Sequence, residues 1–186
     1  MESYILGVMG SPRRGGNSDL LLDRALEGSA ERGARVEKVY LYDLRIAPCR
    51  ACRGCRPANG SASGCLQQDD MQLLYPKLKA ADGLIVATPV YWWGPSAQTK
   101  AFVDRWYALV RGEVMRGKRA VVLCAHADDD PRTARHLLGM FEESFRYLNM
   151  QFVGTLTAVA DERGEIAADE QTMYRAKELG QRLASP

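Results

Sequence analysis

Three stretches of the chain carry residue types able to do chemistry. Cys49, Cys52 and Cys55 are spaced C-x2-C-x2-C, and Cys65 follows after nine residues, Arg56 to Gly64. Thiols this close together suit thiolate ligation of an iron–sulfur cluster of the [4Fe–4S] kind, with Cys65 as candidate fourth ligand. Zinc accepts the same donor type, and cysteines that hold no metal, as small apolar residues or reactive thiols, are the remaining alternative. Arg50, Arg53 and Arg56 interleave with the thiols and would offset the charge of thiolates. Cys124 ends an apolar run and reads as simply buried.

The second stretch is "MGSPRRGGNS", residues 9–18, between an apolar run and a helical pattern. Gly10 ends the run, and Asn17 or Ser18 is placed to cap the helix. Free amides at that helix start, with the hydroxyls of Ser11 and Ser18, form a nest for an anion, and Arg13 adds a planar fork. Gly16 and Asn17 stand where a nucleotide P-loop needs Lys and Ser or Thr. The dinucleotide pattern G-x-G-x-x-G and a phosphatase-type cysteine are both missing from the loop. A monophosphate is the expected ligand. The third stretch, "TPVYWWGPSAQTKAFVDRW" (88–106), puts Tyr91, Trp92 and Trp93 on one loop. Pro89 stiffens its entry and Gly94 lets the backbone turn back. Adjacent rings on a connecting loop suit a planar ligand or a partner surface.

These stretches must be held by elements legible in the hydrophobic pattern. Strands are expected at 4–10, 35–41, 83–90, 119–125 and 151–160. Helices are expected at 18–33, 69–81 (where Pro76 should kink or break it), 95–110 with Pro95 in the first turn, 131–148 and 167–184. On the first helix Leu22, Ala25, Leu26 and Ser29 share a face. Ala97, Ala101, Val103 and Trp106 are the apolar positions of the third. Asp130 before Pro131 reads as an N-cap with proline at the first helical position, and Asp69 and Asp70 suit a helix start. Five strand–helix alternations imply an α/β fold, one twisted parallel sheet covered on both faces. Ligands of such sheets sit beyond the carboxyl ends of the strands, so loops 10–18, 89–95 and 125–130 should meet. His126 on the last of these is within reach of a ligand, although a solvated loop histidine is the plainer reading.

"GSPRRGGNS", "CRACRGC…C…DDM" and "PVYWWGPSAQTKAFVDR" together resemble the flavodoxin-like NAD(P)H-dependent FMN reductases, especially their iron–sulfur flavoprotein branch. The resemblance runs from about residue 4 to 125. It implies a flavodoxin-like three-layer sandwich with a five-stranded parallel sheet in the order 2-1-3-4-5. One domain, 1–186, would carry a Cys-rich insertion loop at 45–68. By the same resemblance Ser11, Arg13, Asn17 and Ser18 hold the FMN phosphate. Pro89, Val90, Tyr91, Trp92, Trp93 and Gly94 line the isoalloxazine. Lys100, Asp104 and Arg105 match the family's helix after that loop, and Lys100 with Asp104 also reads as an i,i+4 surface ion pair. The implied activity takes a hydride from NAD(P)H and passes electrons to a small acceptor such as a flavin or quinone. A non-enzymatic flavin or iron–sulfur electron carrier is the alternative. No side-chain acid or base is required, because the flavin carries the redox chemistry.

The bulk numbers agree with a soluble reading. The chain has 186 residues, 46% hydrophobic and 26% charged, with 25 Lys+Arg against 23 Asp+Glu for a net charge of +2. That suits one domain with a substantial core, and the balance gives no basic surface for nucleic acid. Five cysteines and no basic leader argue against a disulfide framework. No apolar run approaches bilayer length. A cytoplasmic homodimer or homotetramer is expected, without membrane or nucleic-acid partners.

Overall fold

The computed structural model describes residues 2–56 and 64–185; part of the spacer between Cys55 and Cys65, 57–63, lies outside them. The long strands are β1 (Tyr4–Met9), β2 (Arg35–Tyr40), β3 (Gly83–Tyr91), β5 (Arg119–His126) and β6 (Gln151–Val159), with a two-residue β4 (Gly94–Pro95). The helices are α1 (Asn17–Glu31), α2 (Met71–Ala80), α3 (Ala97–Asp104), α4 (Arg135–Tyr147) and α5 (Glu170–Ala184). The strand order is β2-β1-β3-β5-β6, all parallel, and β4 pairs antiparallel with the end of β3. Setting β4 aside, this is the expected 2-1-3-4-5 order of a flavodoxin-like sheet.

Period-two alternation sends side chains of each inner strand to two separate cores. Leu6, Val8, Leu84, Val86, Val122 and Cys124 face the helices α2, α3 and α4. Ile5, Met9, Ile85, Ala87, Val121 and Leu123 face α1 and α5. Burial on both faces explains why β1, β3 and β5 read as continuous apolar runs. On α1 the expected face holds, with Leu22, Ala25, Leu26 and Ser29 all buried.

Several local expectations are corrected. Pro76 does not break α2, which runs unbroken from Met71 to Ala80. Pro76 is on the exposed side, and Met71, Leu74, Tyr75 and Leu78 hold the opposite side in the core. That packing outweighs the one backbone bond proline removes. Pro95 belongs to β4, Ser96 is the N-cap of α3, and residues Arg105–Leu109 continue as a 3-10 turn. Thr99, Phe102, Arg105, Trp106 and Leu109 are the buried residues of this segment; of the other apolar positions, Ala97 is exposed and Ala101 and Val103 are half-buried. Asp130 caps a turn, accepting from the Arg132 amide at 2.8 Å, and α4 starts five residues later.

Candidate functional site

The four loops beyond the carboxyl ends of β1, β3, β5 and β6 converge on one cleft of about 180 Å³. Ser11, Arg13, Asn17 and Ser18 line it from the first loop, and Pro89, Val90 and Tyr91 from the second. Ala125, His126 and Ala127 close the third side. Ala160 and Asp161, from a loop that sequence reasoning did not single out, close the fourth.

The first loop leaves backbone donors free at the start of α1. The N-cap of α1 is Gly16, and no side chain caps the helix. Asn17 and Ser18 are therefore its first two residues rather than its caps, and its leading amides have no intrahelical acceptor. The Asn17 side chain is committed elsewhere: Nδ2 donates to Glu162 O at 2.9 Å, and Oδ1 accepts from the Ile166 amide at 3.2 Å. Asn17 thus pins the loop after β6, leaving its backbone for a ligand. Ser11 and Ser18 are nearly buried at the cleft wall. The two arginines divide their work. Arg14 pairs with Asp43 at 2.5 Å and lies 3.8 Å over the Tyr40 ring, whereas Arg13 forms no ion pair among the described residues and lines the cleft. Asp19 would repel an anion, but Lys38 neutralises it at 2.6 Å and the Gly15 amide donates to it at 2.7 Å.

A buried hydroxyl network fixes this loop against the aromatic one. Ser96 Oγ donates to Gly10 O at 2.6 Å and lies 3.0 Å from Thr99 Oγ1. Thr99 Oγ1 is 3.2 Å from Thr88 Oγ1, which accepts the Ser96 amide at 3.1 Å. The approach at Gly10 is so close that a Cβ there would lie 1.9 Å from Thr99 Oγ1. Glycine is required at this position for space.

The aromatic loop is a two-residue hairpin, with Tyr91 opposite Gly94 and Val90 opposite Pro95. Trp92 and Trp93 are its central residues, both left-handed at φ 49° and 59°. This is type I′ turn geometry, usually made by Asn-Gly. The reversal therefore belongs to the two tryptophans, and Gly94 keeps an ordinary negative φ. Tyr91 lines the cleft, whereas Trp92, 90% exposed, Trp93, half exposed, and Gly94 are not among the residues that line it. His126 Nδ1 lies 2.6 Å from the carbonyl of Asp128, so that nitrogen carries the proton and Nε2 is left for other partners. Lys100 and Asp104 pair at 2.5 Å on the surface of α3, as the i,i+4 spacing suggests.

The cysteine segment is joined to α3 through Arg105. Its guanidinium is buried and forks onto Asp69 at 2.6 and 3.1 Å. It also donates to Ala47 O at 2.9 Å and to Cys65 Sγ at 3.3 Å. Burial pushes the Cys65 thiol up, but hydrogen bonds from the Gln67 backbone, Tyr75 and Arg105 outweigh it and hold the thiol below its usual value. Burial raises the Cys55 thiol, and the nearby Cys65, Cys49 and Cys52 add to the effect. Among the described residues no three His, Cys, Asp or Glu side chains gather closely enough to hold a metal ion. The donor chemistry suits iron or zinc, and Ala51 and Arg53, between the sulfurs, adopt left-handed backbone at φ 52° and 58°. Such turns occur where successive amides face an anion or a cluster. Cys124 is buried in the core as expected, and burial lifts its thiol to about 12.

Comparison with known proteins agrees with this architecture. An iron–sulfur flavoprotein of Methanocaldococcus jannaschii is 32% identical over 190 residues, covering 97% of this chain and 95% of that protein. An iron–sulfur flavoprotein of Methanosarcina thermophila is 44% identical over 101 residues, covering 54% of this chain and 51% of that protein. That match thus spans about half the length of the Methanosarcina protein. Among solved structures, the flavodoxin, WrbA-like protein from Agrobacterium tumefaciens superposes with a TM-score of 0.66 at 18% identity, covering 98% of this chain and 96% of that one. At that identity the likeness speaks for the fold alone. The family model for NADPH-dependent FMN reductases matches residues 3–165, and the chain belongs to that family.

Proposed function

We propose that this chain is an FMN-dependent oxidoreductase that draws a hydride from NAD(P)H and delivers electrons to a small acceptor such as a flavin or quinone. The observation that carries the reading is the joining of an uncapped helix start, Arg13 and Tyr91 at the base of the aromatic hairpin in one cleft. The residues fit FMN: the α1 amides, Ser11, Ser18 and Arg13 suit its phosphate, and the tight contact of Gly10 with Thr99 holds the start of this loop against α3. Pro89, Val90 and Tyr91 would lie along the ring system, with Trp92, Trp93 and Gly94 at its rim. FMN, when bound, supplies the hydride-accepting and electron-donating chemistry. The protein's part is to bind the phosphate, orient the ring and leave one face open to a second reactant. His126 and Asp161 are the titratable side chains that line the cleft beside Arg13 and Tyr91.

The test is anaerobic mixing of FMN-loaded protein with NADH or NADPH. Loss of the visible flavin absorption, and its return on adding a quinone, is expected. Protein that binds FMN without being reduced by either nucleotide overturns the enzymatic reading in favour of a carrier.

Cys49, Cys52, Cys55 and Cys65 are the residues that would hold an iron–sulfur cluster. Their thiol chemistry and the left-handed turns at Ala51 and Arg53 support this assignment. The exposed Tyr91, Trp92, Trp93 and Tyr107 favour a homodimer or homotetramer. A monomer in light scattering at micromolar concentration would sink that part.

A further inference from the structure

Arg105 is 2% exposed, yet its guanidinium bonds none of its own helix. It joins Ala47 O, two residues before Cys49, to Cys65 Sγ and Asp69 on the far side of the spacer. Tyr75 fastens the other end of the same residue, donating to Arg105 O at 3.1 Å. One side chain therefore ties the entry of the cysteine segment to its exit. A spacing of nine residues does not by itself return the last thiol to a definite place, because closing a longer loop costs more chain entropy. A buried, four-bonded guanidinium does.

We propose that Arg105 is a positioning residue for metal ligation, fixing Cys65 as the fourth ligand beside Cys49, Cys52 and Cys55 and keeping its hydrogen bond to that sulfur in the loaded protein. This rests on the iron–sulfur reading given above. A donor on a ligand sulfur draws electron density from the cluster and raises its reduction potential.

The test is anaerobic reconstitution of the full chain with ferrous iron and sulfide, for wild type, Arg105→Lys and Cys65→Ser. Iron and sulfide per chain, the potential of the reduced-state EPR signal, and FMN affinity are measured on each. Lysine keeps the charge but lacks the planar fork. Arg105→Lys should bind FMN as wild type does, lose roughly tenfold or more in iron affinity, and shift the remaining signal to a more negative potential. Cys65→Ser should show a comparable loss of iron. Wild-type iron content and potential in Arg105→Lys, or in Cys65→Ser, would overturn the inference while leaving the cluster reading intact. A wild-type protein that takes up no iron would overturn both. Should Arg105→Lys fail to fold, wild type carrying isotope-labelled arginine decides the matter. A guanidinium nitrogen coupled to the reduced cluster in pulsed EPR supports the assignment, and its absence overturns it.

Discussion

Ser96 Oγ donates to Gly10 O across 2.6 Å, and the same oxygen accepts the Thr99 amide at 3.3 Å as the N-cap of α3. One hydroxyl therefore starts the helix after the aromatic hairpin and fixes the end of the strand that leads into the loop carrying Ser11 and Arg13. Ser96→Ala removes the cap and strands a buried carbonyl. The expected cost is about 1–3 kcal/mol of stability. FMN affinity should fall with it, because the two walls of the cleft lose their shared reference. Urea unfolding and a flavin-fluorescence titration measure the two effects. Unchanged affinity alongside lost stability would confine Ser96 to a folding role.

The sheet and its helices were legible because buried strands, caps and loops leave local patterns. So were the glycine- and serine-rich loop and the cysteine run. The ties between loops left no such trace. Asn17 looks like a cap in sequence, but its amide side chain is spent on Glu162 and Ile166, which are far along the chain. Arg105 sits among helix-surface residues in the sequence, and only the tertiary fold brings Asp69, Cys65 and Ala47 around it. Trp92 and Trp93 advertise a planar ligand, but not the left-handed turn they adopt, since that turn ordinarily selects Asn and Gly. Contacts fixed by partners distant in sequence have no periodicity to detect.

The two adjacent arginines separate by environment. Arg13→Ala removes a free guanidinium from the cleft, whereas Arg14→Ala removes one already engaged by Asp43 and Tyr40. A charge-assisted hydrogen bond is worth about 1.5–3 kcal/mol, so Arg13→Ala should weaken FMN binding roughly 10- to 100-fold. Riboflavin, which lacks the phosphate, should bind both variants and wild type alike. Arg14→Ala should leave FMN affinity nearly unchanged. Equal losses for the two variants would place the phosphate elsewhere.

The tryptophan hairpin should trade stability for function. Each bulky residue held left-handed costs about 1–2 kcal/mol. Replacing the pair by Asn-Gly, Trp92→Asn with Trp93→Gly, gives the turn its favoured residues. The double variant should melt at a higher temperature and lose activity with the acceptor. Calorimetry and steady-state kinetics check the pair of outcomes. Higher stability with full activity would show that the indoles take no part in the reaction.

Acid should act on the tie between the cysteine segment and α3. Burial pushes the Asp69 carboxyl up, but the Arg105 hydrogen bonds, with the Ala47 and Met71 amides, overcome this and hold it below the usual range. In the unfolded chain the group titrates near its ordinary value of about 3.9. Because the folded value is the lower one, the contribution of the pair to stability is fully present above about pH 4–5. It is lost as the pH falls through the folded value, where the carboxyl takes up a proton and Arg105 is left buried without its counter-charge. Asp69→Asn has no such proton to bind. Its stability at neutral pH should be well below that of wild type, and the gap should narrow steadily as the buffer is taken below pH 4. Urea unfolding at a series of pH values measures the gap, and a difference that stays constant through that range would mean that folding does not shift the Asp69 carboxyl and that its pairing with Arg105 adds no pH-dependent stability.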